Sequence, residues 1–435
     1  MHVFFQRITR GHDDDELYKF IYFYNPIRKQ KEMKSKIVLD KRNKFLFNSI
    51  MKFSCKTQDL LTGLQLVNRA IGSDQVLPIL QNILIHCEGK RCTLSATNLE
   101  VSIVTSFEVM IENEGSITIP AKAALHFMQY QQDVEVVLET SEGTQLKIQS
   151  KHAKAVIAGE AASGFPTITA IQKETIFSLP VPPLLHALNL VTFACAKTSS
   201  RPVISGVFVR LEKGNLILVG TDSYRLSEYR IPVEGLSGEI SCIIPARFME
   251  ELKAVIALHR ASGEEEADEK KKKAQQIEKI DIALGSQQIE VVIGPTRLTS
   301  RLIDGKFPDY QQVLPKEKAT TVLASTRELL TAVKRMHYFA KELNNNITFG
   351  FTKTGIHLTT KQTQLGKDES TIQAELTGQE NKIAVSSTYL IDFLTRLDSE
   401  KVHIELLDKM HPAVFRSQGS EVFLHLIMPL RMNDE

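Results

Sequence analysis

The chain has 435 residues, 43% of them apolar and 24% charged, with no Trp, a formal net charge of +2 and five cysteines. That length implies more than one domain at roughly 100–200 residues each, and the composition is ordinary for a soluble globular protein. No run of about 18 uncharged apolar residues occurs, which excludes a helical membrane span, and the scattered cysteines (Cys55, Cys87, Cys92, Cys195, Cys242) point to reduced thiols and a cytoplasmic setting.

Residues 1–50 stand apart. They carry 11 Lys/Arg against 6 Asp/Glu, leaving 42 against 45 for residues 51–435. They show no clean periodicity and no secretory pattern, and Met51-Lys-Phe-Ser54 reads as a natural beginning. The segment is therefore expected to be a disordered or non-native N-terminal extension. A mildly acidic body suits a protein that confines positive charge to one face.

From residue 51 the same order of elements is read three times. A short strand (Met51–Cys55) precedes a helix whose apolar face is Leu60, Leu61, Leu64, Val67 and Ile71. Cys87 and Cys92, with His86 beside them, flank a hairpin turn, and no second ligand pair follows to complete a zinc site. Ser116–Ile119 reads as a strand, and Ile119-Pro-Ala-Lys122 begins a second helix. In the next third, the strand Glu174–Leu179 leads to a face of Leu184, Leu185, Leu188, Val191 and Cys195. Leu216–Gly220 follows as a strand, and Ile244-Pro-Ala-Arg247 starts the second helix. In the last third, Thr321–Ala324 leads to Leu329, Leu330, Val333, Met336 and Phe339, and Val385-Ser-Ser-Thr388 starts the second helix. The second helix start lies 59, 60 and 56 residues beyond the Leu pair, while the pairs themselves are 124 and 145 residues apart. The charged insertion 262–276 supplies most of that difference and reads as a solvated loop or helix extension.

The fold class is thus α+β: three repeated modules, 51–172, 173–316 and 317–435, each with two helices packed on antiparallel sheets. Three units of this size are few for an open stack. Closure into a ring would bury the exposed sheet edges.

Candidates for catalysis are thin. His186, His337, His403 and His411 are far apart without metal-ligand spacing. Gly63, Gly143 and Gly350 are isolated and make no phosphate loop. Thr221, Asp222, Tyr224 and Arg225 read as a strand-end turn with an Asx-type bond before they read as an acid–base cluster. No metal, cofactor or catalytic residue is assigned. Polar and basic groups recur opposite the Leu stripes: Gln65 and Arg69, Asn189 and Lys197, then Lys334, Arg335 and Lys341. Lys122 and Arg247 share one slot in two repeats, and Lys253 and Arg396 lie on second helices. Cations without interleaved aromatics suit sequence-neutral, salt-sensitive phosphate contact.

Three phrases remain: Gly220-Thr-Asp-Ser-Tyr-Arg-Leu226, Asp304-Gly-Lys-Phe-Pro-Asp-Tyr-Gln-Gln-Val-Leu-Pro315 and Leu426-Ile-Met-Pro-Leu-Arg-Met432. In order and wording they resemble the bacterial DNA polymerase sliding-clamp family, the beta subunit of the replicative polymerase, over about residues 51–435. The resemblance implies a non-catalytic processivity factor: a head-to-tail homodimer with twelve helices lining a hole around duplex DNA. The cations expected to face DNA are Arg69, Lys122, Lys197, Arg201, Arg247, Lys253, Lys334 and Arg335. It also implies a pocket between modules two and three for peptides of polymerases, the clamp loader and repair proteins. The matching positions are Ile204, Thr221, Tyr224, Arg225, Leu226, Pro308, Val313, Ser386, Tyr389, Leu426, Met428, Pro429, Leu430, Arg431 and Met432. At the dimer seam, Ala155 and Ile157 are expected to meet Phe339 and Ala340. Gln312 stands where a basic residue is common and Ser386 where Asn can sit, so peptide preference is expected to shift. Asp74 replaces a basic residue at one DNA contact, and Asn433-Asp-Glu435 extends the usual end. The rival readings are a DNA-acting enzyme on a repeat scaffold and a protein-interaction hub that does not touch DNA.

Overall fold

A computed structural model of the chain describes residues 50–72, 77–141, 144–198, 200–233, 235–236, 238–265 and 277–431. The expected N-terminal extension, Asp74, most of the charged insertion and Met432 lie outside the described residues.

Each third opens on a strand that runs directly into a helix. Lys52–Lys56 enters α1 (Thr57–Asn68), Thr175–Pro180 enters α3 (Val181–Val191), and Thr320–Ser325 enters α5 (Thr326–Ala340). A three-strand meander follows, extended in repeats one and three by a further strand (Met110–Asn113, Ala374–Gly378) that pairs with the opening strand, and then comes a strand that enters the second helix. Gly115–Pro120 leads to α2 (Ala121–Gln129), Ser241–Pro245 to α4 (Ala246–Glu265), and Asn381–Ser386 to α6 (Ser387–Leu394). A second meander closes each unit, its first strand antiparallel to the opening strand in all three cases.

The sheets do not stop where the repeats do. The last strand of the second repeat, Thr296–Arg301, pairs with Val101–Glu108 in the first repeat. The last strand of the third, Phe423–Ile427, pairs with Arg225–Pro232 in the second. The result is an eight-stranded sheet shared by repeats one and two and a nine-stranded sheet shared by two and three. A five-stranded sheet ending on Lys154–Ala158 and a four-stranded sheet ending on Glu369–Ile372 complete the layer.

The helices form a row beside the sheets. α2 packs on α1, α1 on α4, α4 on α3, and α6 on α5. Asn189 Nδ2 donates to the Arg396 carbonyl at 3.3 Å and links α3 to the end of α6. Leu60, Leu64 and Val67 of α1, Leu184, Leu188 and Val191 of α3, and Leu329, Val333 and Met336 of α5 are buried against the sheets. The second Leu of each pair (Leu61, Leu185, Leu330) is only partly buried, at the margin of this core.

Some sequence expectations need correction. α1 ends at Asn68 and α3 at Val191, so Ile71 and Cys195 pack from the turns that follow and not from the helices. Pro120 and Pro245 are the last strand residues before α2 and α4, one position ahead of the first helical turn. The ring fixes φ and lacks an N–H, so it ends a strand and aims the chain into a helix without losing an intrahelical bond. Ser386 precedes α6 without a side-chain cap, whereas Ser325 accepts the Glu328 N–H at the start of α5. Cys87 and Cys92 face each other across their hairpin, both free and buried. Among the described residues no cluster of three His, Cys, Asp or Glu could hold a metal, and no helix is long and apolar enough to cross a membrane.

Candidate peptide-binding site and nucleic-acid interface

Where repeats two and three share a sheet, Leu226 lies opposite Leu426 and Arg225 opposite Ile427. Beyond that strand the tail is tied to both repeats. Met428 N–H donates to the Tyr224 carbonyl at 2.9 Å and Leu430 N–H to the Ala384 carbonyl at 2.8 Å. The turn before Arg225 is held by its own side chains. Asp222 Oδ1 accepts the N–H of Tyr224 at 2.9 Å and of Arg225 at 3.0 Å, and Thr221 Oγ1 donates to the Arg225 carbonyl at 2.6 Å. These bonds support Ser223 in the left-handed region at φ 81°. They leave the Tyr224 ring 63% exposed.

Beneath the turn lies a separate apolar cluster. Val219, Leu226, Ile243, Phe307 and Leu426 are buried in it, with Leu314 and Met428 at its margin. The 304–315 segment is clamped onto it from outside. Phe307 stacks on Phe208 with centroids 4.8 Å apart, and Tyr310 Oη donates to buried Glu228 at 2.5 Å. Burial and that carboxylate raise the Tyr310 phenol well above its usual range. The same segment carries Pro308 and Val313, both exposed.

The positions expected to form a pocket therefore divide. Tyr224, Pro308, Val313 and Arg431 are exposed; Tyr389, Met428, Pro429 and Leu430 are half-buried. Ile204, Thr221, Arg225, Leu226, Ser386 and Leu426 are buried and form floor or framework. Arg225 is a correction to the expected arrangement. Its guanidinium, 6% exposed, donates to Asp222 at 3.0 Å, to Asp392 at 2.7 Å and to the Phe193 carbonyl at 2.9 Å. It also lies 4.6 Å from the Tyr389 ring centroid. Its donors are committed to holding repeat two against α6, so it is framework between the two repeats and has no open donor turned outward.

The cations on the helical row divide as well. Lys122, Lys197, Arg247 and Lys334 are exposed and carry no ion pair with a described residue. Arg201 Nη2 donates to Ser223 Oγ at 2.9 Å, in the turn before Arg225. Arg69, Lys253 and Arg335 each hold a carboxylate: Glu251 at 2.6 Å, Glu250 at 2.6 Å and Asp368 at 2.9 Å. A cleft of about 820 Å³ beside α3, α4 and α6 brings Lys197, Arg247 and Lys253 together and adds Arg301 and Arg396. Arg301 is not legible from sequence, because it sits at the end of a strand and outside any helical pattern. A larger cleft of about 1140 Å³, lined by Phe208, Cys242, Ser286 and Asp304 among others, includes none of the expected pocket positions.

At the open sheet ends, Ala340 is 1% exposed and Ile157 8%, both inside the chain's own core. Ala340 cannot face a neighbour as expected. Large apolar side chains exposed near these ends include Val156 (55%) and Tyr338 (61%), the latter edge-on to half-buried Phe339.

Sequence profiles of the three domains of the DNA polymerase III beta subunit match this chain in order: N-terminal domain at 51–169, central domain at 178–263, C-terminal domain at 311–431. The chain belongs to the DNA polymerase III beta subunit family. Among proteins named beta sliding clamp, that of Synechocystis sp. is 27% identical over 404 residues, spanning 88% of this chain and all of the relative. The one from Haemophilus influenzae is 26% identical with the same coverage. A solved beta chain from Streptococcus pneumoniae superposes with a TM-score of 0.80 at 25% identity, and the Bacillus subtilis clamp with 0.80 at 24%; each covers 88% of this chain and 100% of the structure. Family members are sliding clamps, non-catalytic processivity factors of DNA polymerase III, and this chain is one of them.

Proposed function

We propose that two copies of this chain close head to tail into a ring around duplex DNA and tether the replicative polymerase, with peptides of polymerase, clamp loader and repair proteins bound at the repeat two–three seam. The modules are taken as 51–172, 173–316 and 317–435, and the work of such partners belongs in the cytoplasm.

The offset of the sheets carries the reading. Twice within the chain, the last strand of one module completes the sheet begun by the first meander of the module before it. Applied a third time, the same rule sets Lys154–Ala158 of one copy beside Glu369–Ile372 of the other, each of which has a single neighbour within its own chain. A head-to-tail contact of this kind closes when its rotation returns to the start, and closure covers both of these open edges. Val156 and Tyr338 then become seam residues. The helical row, with Lys122, Lys197, Arg247 and Lys334 exposed, becomes the lining that meets phosphates.

At the peptide site, Leu226, Leu426 and Met428 offer an adaptable apolar floor for the Leu/Phe anchors of a Gln-Leu-x-Leu-Phe-like peptide. Exposed Tyr224, Pro308 and Val313 supply the rim. The test of ring closure is the mass of the full chain in solution by light scattering. About twice 48.9 kDa is expected; a persistent monomer at micromolar concentration overturns the closure.

A further inference from the structure

We propose that Glu250, Glu251 and Asp368 weaken this clamp's grip on DNA by occupying cations of its own helical lining. The inference rests on the encircling reading above and concerns how tightly the ring holds what it surrounds.

Two of the three pairs share a geometry: the acid lies below and the cation outside. Glu251 is 16% exposed while its partner Arg69 is 38% exposed, and Asp368 is 12% exposed beneath Arg335 at 55%. Asp368 is fixed further by its backbone, which exchanges hydrogen bonds with Thr360 at 2.9 and 3.0 Å. It meets Arg335 with both oxygens, at 2.9 and 3.1 Å. Glu250 is held from the opposite side, accepting the Thr192 hydroxyl while it pairs with Lys253 at 2.6 Å. Glu250 and Glu251 are thus held on α4 and Asp368 on the loop entering Glu369–Ile372; the cation is the more exposed partner in the Arg69 and Arg335 pairs, whereas Lys253 is 32% exposed against 45% for Glu250.

Such partly exposed pairs are weak enough for a passing phosphate to compete for the cation. The exchange leaves an unpaired carboxylate close to DNA, however, so each contact is weaker than a free lysine or arginine would make. A topologically closed ring does not need strong phosphate contacts to stay on DNA. Contacts of full strength would resist sliding, and acids already paired with the lining cations keep them low at every register of the helix.

The variants are E250Q, E251Q and D368N in the full chain, singly and together, with E375Q as control. Glu375 pairs with Lys401 at 3.0 Å, both on strands of the nine-stranded sheet. The probe is a fluorescent linear duplex of random sequence, titrated across a series of salt concentrations. The triple variant is expected to bind at least tenfold more tightly at low salt. Its log–log salt slope should steepen by about 0.9 for each cation that gains a phosphate, while E375Q matches the unaltered chain. Equal affinity and slope in the triple variant, or equal tightening by E375Q, overturns the proposal while leaving encirclement standing. Absence of salt-dependent duplex binding by the triple variant as well as by the unaltered chain overturns the proposal, whereas a persistent monomer in the mass measurement overturns encirclement. Since E251Q also removes a contact between α1 and α4, E250Q plus D368N carries the same test if E251Q lowers folded yield.

Discussion

Arg225 is the residue on which the seam between repeats two and three depends. A buried guanidinium with two carboxylates, a carbonyl and an aromatic face around it loses far more on truncation than an exposed pair does. Arg225→Ala is expected to lower the unfolding free energy by about 3 kcal/mol, toward the low end because Asp392 is reached by solvent. Lys at this position should restore little, since one ammonium cannot reproduce the planar fork. Urea denaturation of both variants checks this. His425, in the same seam, is fully buried, bonded to Ser227 at 2.8 Å and stacked on Phe393. Burial first, and the nearby Arg225 charge second, push its pKa well below the ordinary 6.5. The folded imidazole stays neutral while the unfolded one takes a proton below pH 6.5. Its contribution is therefore complete above that pH and is lost as pH falls toward the folded value. Stability should drop by about 1 kcal/mol between pH 6.5 and 5.5 from this group alone, and the slope should flatten in His425→Gln.

At the scale of elements, the strand–helix junctions and the order of the meanders are legible because two periodicities alternate on a fixed schedule, three times over. The Leu pairs mark α1, α3 and α5 because a helix that packs on a sheet must show it one stripe. Partnership between distant segments is not legible. Nothing in Phe423–Ile427 says that it completes the sheet of the preceding repeat, and nothing near Arg225 names Asp392. The Asx turn at Asp222 is readable, since its acceptor and donors lie within three residues. The burial of Ala340 is not, because a small residue at a helix end is compatible with either side. The tail makes the functional weight of such partnership concrete. It bonds to Tyr224 on one side and Ala384 on the other, so deleting Met428–Met432 removes one floor residue, Met428, and both fastenings of the proposed peptide site. Calorimetric titration with a Gln-Leu-x-Leu-Phe-like peptide should then show no binding, while dimer mass is unchanged because the seam lies at other strands. Retained affinity would place the peptide elsewhere.

For the whole molecule, sharing sheets between successive repeats merges three repeats into one cooperative body. The eight- and nine-stranded sheets cannot lose one repeat's strands without stripping the next. The chain should therefore melt in a single calorimetric transition whose van't Hoff and calorimetric enthalpies agree per cooperative unit. Two or three resolved peaks would show that the repeats unfold as independent domains.

The strand handed back to the preceding repeat has one more consequence, for chains that fail to close. On the proposed closure a lone protomer offers two unlike strand borders, so association carries a direction and never runs out of ends until the circle is complete. Any change that opens the angle between successive repeats would turn the proposed finite assembly into an endless fibre, lengthening with concentration where the proposed ring stops at two.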